Sequence, residues 1–198
     1  MGDAIFAIPA AGNDVFLYLI LIGGMTALFA LMVRYPKALS GLTANQGTKT
    51  VLKENELRYL MIIPLLLTGL LTILLLNIAY YTKNSRVEVT EEVLKVRGGL
   101  YGRTIPLTDL KIDEAAAVKL TEDHQFGLLR RTNGIGMGDY KSGWFTLRSG
   151  EKALAFVTDE AHVVYVPTTQ DYALVVSVAE QDAFIRALKA SQLAATEY

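Results

Sequence analysis

The chain runs to 198 residues, 52% of them apolar, with 19 basic residues against 20 acidic ones and no cysteine. That length holds one ordinary domain with something small beside it. The missing thiols exclude disulfides, thiolate metal sites and cysteine nucleophiles, and the near-neutral charge lacks the strong basic excess of a nucleic-acid binder.

Residues 1–14 contain Pro9 and Gly12 and no charge other than Asp3 and Asp14, so they read as a flexible leader. The run Val15–Val33 that follows carries no charge, and neither does a second run, Leu60–Tyr81. Both reach the roughly 20 residues a helix needs to cross a hydrocarbon core about 30 Å thick. Buried helices of soluble proteins rarely run so far uncharged, because their ends must meet water. Nothing basic precedes Val15, which argues against a secretory signal. Membrane helices are therefore expected over 15–33 and 59–82.

The first span exits at Arg34-Tyr35-Pro36-Lys37 and the second at Tyr80-Tyr81-Thr82-Lys83, where tyrosines suit the interface and cations reach the head groups. The connection over 34–58 is polar in GLTANQGTK and helix-friendly in VLKENELRY, and Pro64 kinks the second helix or sits in its early turn. Gly23 and Ala27 have the small-xxx-small spacing that lets helices approach. Thr26, Thr68, Thr72 and Asn77 are polar residues suited to helix–helix contacts. The connection holds Arg34, Lys37, Lys49, Lys53 and Arg58, the leader holds no Lys or Arg, and the early tail holds Lys83, Arg86, Lys95 and Arg97. Basic loops tend to stay in the cytoplasm, so both termini are expected outside it.

From Arg86 the pattern turns to period two. Strands are expected near 86–90, 93–98, 102–106, 114–121, 143–148, 152–158 and 162–167, with a further extended run at 171–178. Ser149-Gly150 is the clearest hairpin signal. An amphipathic helix follows from Glu180, with Phe184, Ile185 and Leu188 on one face and Ser177 as its expected cap. Residues 191–198 read as a tail. This order predicts an α+β chain: a two-helix transmembrane hairpin, then a seven-stranded antiparallel β-barrel over 86–190, capped by a C-terminal α-helix.

The stretch RTNGIGMGDYKSGWFTLRSGEKALAFVT, followed by VVYVPT, YALVVSV and DAFIRAL, resembles the bacterial PH domain family, specifically members with a transmembrane hairpin ahead of the domain. The resemblance implies a PH-like fold on a membrane protein and carries no catalytic residues with it. Classical PH domains can bind phosphoinositides through a basic cluster, so the resemblance also suggests a lipid head-group site at Lys95, Arg97 and Arg103. Such cations gain about 1 kcal/mol each near an anionic bilayer. A solvated strand face is the plainer reading of the same residues.

Gly134, Gly136 and Gly138 alternate in a loop flanked by Arg130, Arg131 and Lys141. The residues suit an anion cradle of backbone N–H groups and cations, or a loop that needs positive φ and close backbone approach. Trp144 is the single tryptophan and sits beside Phe145, so alternation sends one of them inward. Facing out, Trp144 marks a partner contact; facing in, it is core. His124 and His162 stand far apart, and neither H-E-x-x-H nor G-x-S-x-G occurs, so no catalytic, cofactor or metal site is expected. Two functions fit. One is a non-catalytic binding or scaffolding module, anchored in the bacterial inner membrane and presenting its barrel to protein or lipid head groups. The alternative is an accessory subunit of a larger membrane protein complex. The expected partners are the lipid bilayer and a protein or a second copy, with no nucleic acid.

Overall fold

The computed structural model describes residues 4–10, 14–35 and 54–196. Most of the expected 34–58 connection lies outside the described residues. The chain divides into two compact units, Val15–Ala79 and, together, Met1–Asp14 with Tyr80–Tyr198.

Two helices, α1 (Asp14–Arg34) and α2 (Glu54–Asn84), supply the first unit. Each contains a stretch long and apolar enough to cross a membrane, Leu17–Arg34 with 18 residues and Ile62–Tyr81 with 20. Pro64 lies inside α2, where it lacks an N–H for the helical ladder. The Thr68 hydroxyl donates to the Pro64 carbonyl at 2.8 Å. The helices meet through Thr26 and Thr72, whose hydroxyl oxygens stand 3.1 Å apart. Gly23 is not at this contact: a Cβ built there has no atom within 4 Å. The observed contact between the helices is thus the threonine pair rather than Gly23.

Among its described residues the second unit holds ten strands in two sheets, four short 3-10 turns, the end of α2 and a C-terminal helix. The first sheet has the order β1-β2-β3-β4, from β1 (Ala4–Ala7), β2 (Arg86–Val89), β3 (Val93–Arg97) and β4 (Arg103–Pro106). The leader is thus not wholly flexible, because Ala4–Ala7 pairs antiparallel with β2. The second sheet has the order β5-β9-β10-β8-β7-β6, from β5 (Ala116–Val118), β6 (Leu128–Met137), β7 (Tyr140–Leu147), β8 (Lys152–Val157), β9 (Val163–Pro167) and β10 (Ala173–Ser177). The expected seven-stranded antiparallel β-barrel is corrected to these two sheets, which do not close into a barrel and are bridged between Leu110 and Thr168. Nor is the pairing purely antiparallel, since β10 inserts between β9 and β8 and runs parallel to β8.

Burial explains the pattern. In β3, Leu94 and Val96 point inward while Lys95 and Arg97 point away, the ordinary alternation of a half-covered sheet. All five residues of β10 are buried, so Ala173–Ser177 reads as a continuous apolar run. Leu154, Phe156, Val164, Leu174 and Val176 face the first sheet and helix α3 (Gln181–Thr196), around Phe184 and Leu188. On the opposite face Ala153, Ala155, Val157, Val163 and Val175 pack with Phe145, Leu147 and Leu120. The Phe6 ring meets Phe184 edge to face at 5.2 Å, tying the leader strand to the terminal helix. Helix α3 continues through Thr196, past the expected tail boundary. Ser177 is not its cap. It sits in β10, where its hydroxyl accepts the Thr158 and Asp159 N–H groups, each at 3.1 Å, and donates to the Asp159 carbonyl at 2.8 Å.

Candidate functional site

The outward face of β3 and β4 carries the most concentrated polar chemistry in the domain. Register places Glu88 beside Lys95 and Lys95 beside Thr104, while Arg86 stands opposite Arg97. Like charges directly opposite each other repel. Glu88 resolves the conflict: Arg86 Nε and Arg97 Nε both donate to its carboxylate at 2.8 Å. The Arg86 and then the Arg97 hydrogen bond hold the Glu88 carboxyl below the usual range, against a smaller desolvation effect. Arg97 is thereby largely neutralised, whereas neither Lys95 nor Arg103 has a carboxylate partner among the described residues.

Between β3 and β4 the chain turns through Gly98-Gly99 and Gly102. Gly99 has φ +60°, and a Cβ on Gly98 would come within 2.8 Å of Ser85 Oγ. On Gly102 a Cβ would stand 2.9 Å from the Val96 carbonyl. The bare turn leaves room for Tyr81, whose Cγ stands 3.9 Å from the Cβ position of Gly99. The result is an open pocket of about 500 Å³ lined by Tyr81, Lys95, Arg97, Gly98, Gly99 and Arg103 among others. Uncommitted cations and bare backbone at one mouth suit an anion.

Lys95 and Arg97 therefore share the outward face; Arg103 also lines the pocket, but it stands in register with the inward-facing Val96 and turns its guanidinium to the Trp144 ring. The other predicted cations are not added to them. Gly134 and Gly136 lie within strand β6 rather than a loop, and Gly138 takes φ +52° in the turn to β7. Gly134 faces Gly143 across the strands, and a Cβ on Gly143 would come within 2.6 Å of both Asn133 O and Gly134 Cα. Close backbone approach accounts for Gly134 and Gly143, and positive φ for Gly138. Lys141 is engaged by Glu160 at 2.7 Å, and the exposed Arg131 reaches toward Gly136, its Nη1 3.8 Å from the Cβ position there. Arg130 is exposed on β6, in register with Thr146.

Trp144 neither faces out fully nor disappears into the core. Its half-buried ring lies against the core on one side and meets Tyr172 edge to face at 5.1 Å. Lys152 Nζ stands 4.3 Å from the ring centroid and Arg103 Cζ 5.4 Å, both within cation–π range. Burial raises the Tyr172 phenol above its ordinary range, the Arg103 charge opposes that shift, and Asp109 adds to it, so the phenol stays a proton donor. Sequence reasoning missed Lys152, Tyr172 and Tyr81. The signal for Lys152 was present: across the Ser149-Gly150 hairpin it pairs with Thr146, one diagonal step from Trp144. No group of three or more His, Asp or Glu suited to a metal occurs among the described residues.

Comparison with known proteins agrees with this architecture. The family model described as Bacterial PH domain matches residues 85–192, more than half of the chain. No curated protein matches the chain, and no solved structure does.

Proposed function

Because the chain belongs to the bacterial PH domain family, we propose that it is a membrane-anchored, non-catalytic binding module whose β3–β4 pocket takes anionic lipid head groups. One observation carries the reading: Lys95, Arg97 and Arg103 share a pocket with Tyr81, a residue of the same α2 helix whose apolar stretch is long enough to span a bilayer. A helix leaving hydrocarbon at Tyr80-Tyr81 would hold that pocket at head-group level.

The exposure of both helices supports the anchor. None of the Leu17–Arg34 window is buried, and Ile20, Ile63 and Leu66 are each about two-thirds or more exposed. Side chains so apolar and so uncovered suit lipid, not water. The distribution of Lys and Arg favours an orientation with the 34–58 connection in the cytoplasm and the domain outside. Lys95, which has no carboxylate partner among the described residues, would add about 1 kcal/mol near an anionic surface. It acts as a contact that orients the domain, with the helices supplying the anchorage.

The test is native mass spectrometry of the full chain released from membranes in mild detergent. The wild-type protein should retain phosphatidylglycerol in preference to phosphatidylcholine, and K95Q/R97Q should lose that preference. Equal retention by wild type and variant would overturn the head-group reading.

A further inference from the structure

The gap between the two sheets holds a second charged feature on a different face from the head-group pocket. Strand β4 is an edge of the first sheet, pairing with β3 alone. The sheets join at the Leu110–Thr168 bridge, reinforced by Lys111 N donating to Pro167 O and Thr169 N to Asp109 O. Before that point, at Arg103, they part. Two cavities of about 540 and 220 Å³ lie in the opening and share Arg103 and Trp144.

The floor of this groove is cationic. Lys152 and Arg103 crowd the same indole ring, and among the described residues no carboxylate pairs with either. The two cations repel each other, and the ring quadrupole offsets only part of that repulsion. A bound anion would remove the rest. The rim is acidic: Asp171 lines the wider cavity, and Gln170 Nε2 donates to Asp109 at 2.8 Å beside it. The exposed Leu100 borders the narrower cavity.

This arrangement discriminates between occupants. A bilayer surface is too flat to enter a groove between two sheets, so its charge stays at the rim beside Asp171 and away from Lys152 and Arg103. A single carboxylate side chain on an extended backbone can pass the rim and reach Lys152 and Arg103. The unpaired edge of β4 offers that backbone its own hydrogen-bonding groups. We propose that the Trp144 groove docks an extended acidic segment of a partner protein, with Lys152 and Arg103 receiving its carboxylates and Leu100 an adjacent apolar residue. The site is independent of the head-group reading, although Arg103 borders both.

The chain supplies its own reporter, because Trp144 is the single tryptophan. Full-length protein in uncharged detergent is titrated with hexaglutamate at low salt while indole emission is followed. A saturable change is expected that weakens roughly fivefold or more in K152Q and fades as salt rises. Hexaglutamine should leave the emission unchanged, and K95Q, which weakens only the lipid pocket, should respond to hexaglutamate as wild type does. K152Q should unfold thermally as wild type does, since Lys152 is exposed. The proposal fails if hexaglutamate gives no saturable change or if K152Q binds it equally well. It also fails if moving the protein from phosphatidylcholine to phosphatidylglycerol nanodiscs shifts Trp144 emission through Lys152, because the groove would then face lipid.

Discussion

Replacing Ser177 by alanine tests whether the β8–β9 turn is held from inside the sheet. Ser177 is fully buried and makes three bonds to Thr158 and Asp159. Alanine would strand two N–H donors and one carbonyl. A buried polar group left unpaired costs about 1–3 kcal/mol. Asp159 is only partly buried, so water recovers part of its loss, and the net cost comes to about 2 kcal/mol. For a domain of this size that corresponds to a fall in Tm of roughly 8 °C. Thermal unfolding of the detergent-solubilised chain, followed through Trp144, reads the domain alone because neither helix of the first unit contains tryptophan. S149A is the control, since Ser149 is exposed and accepts only one long bond, from Glu151 N at 3.4 Å. S177D separates the two roles a serine can play here. As a helix cap aspartate would substitute well, whereas in the filled interior of β10 it should be worse than alanine. A fall of less than about 2 °C for S177A would refute the reasoning.

Gly143→Ala should destabilise the domain by about 3 kcal/mol or more, because φ is +121° and the new Cβ would overlap Asn133 O and Gly134 Cα; chemical denaturation of the same preparation measures it. Acid should destabilise the domain through Glu88 and Asp159, whose carboxyls are held low by the Arg86 and Arg97 bonds in one case and mainly by His162 in the other. A depressed carboxyl contributes stability above its unfolded pKa, near 4, and that contribution is lost as pH falls below it. The E88Q variant should therefore show a flatter fall of Tm between about pH 5 and 3 than wild type does. Thr26→Val/Thr72→Val removes the bond between α1 and α2 at nearly constant shape, and a disulfide-trapping or proximity-labelling assay across the helix pair should report looser association.

Both apolar helices were legible as uncharged runs, and β2, β3 and β7 as alternation. The misses have physical causes. Strand β1 is only four residues long and draws its stability from pairing with β2 and from Phe6 against Phe184, contacts that no local pattern reveals. Strand β6 was hidden by its glycines, which suggested a loop although Gly134 is required by its close approach to Gly143. Two register shifts, around Leu129 and Thr132, also blur its alternation. The parallel placement of β10 beside β8 depends on chain topology rather than on residue type. At the site, Lys95, Arg97 and Arg103 were legible as a basic strand pair. The Glu88 clamp that withdraws Arg97 was not, nor was the stacking of Lys152 on Trp144.

The central claim is that the β3–β4 pocket lies at the bilayer surface. With no native cysteine, a nitroxide can be placed at T104C, beside the pocket, or at T121C, in the turn after the edge strand β5 of the second sheet. Both residues are exposed. In vesicles containing phosphatidylglycerol and a head-group-chelated nickel lipid, power saturation should show strong nickel relaxation at Thr104 and little at Thr121. Equal relaxation at the two positions, or stronger relaxation at Thr121, would contradict the account.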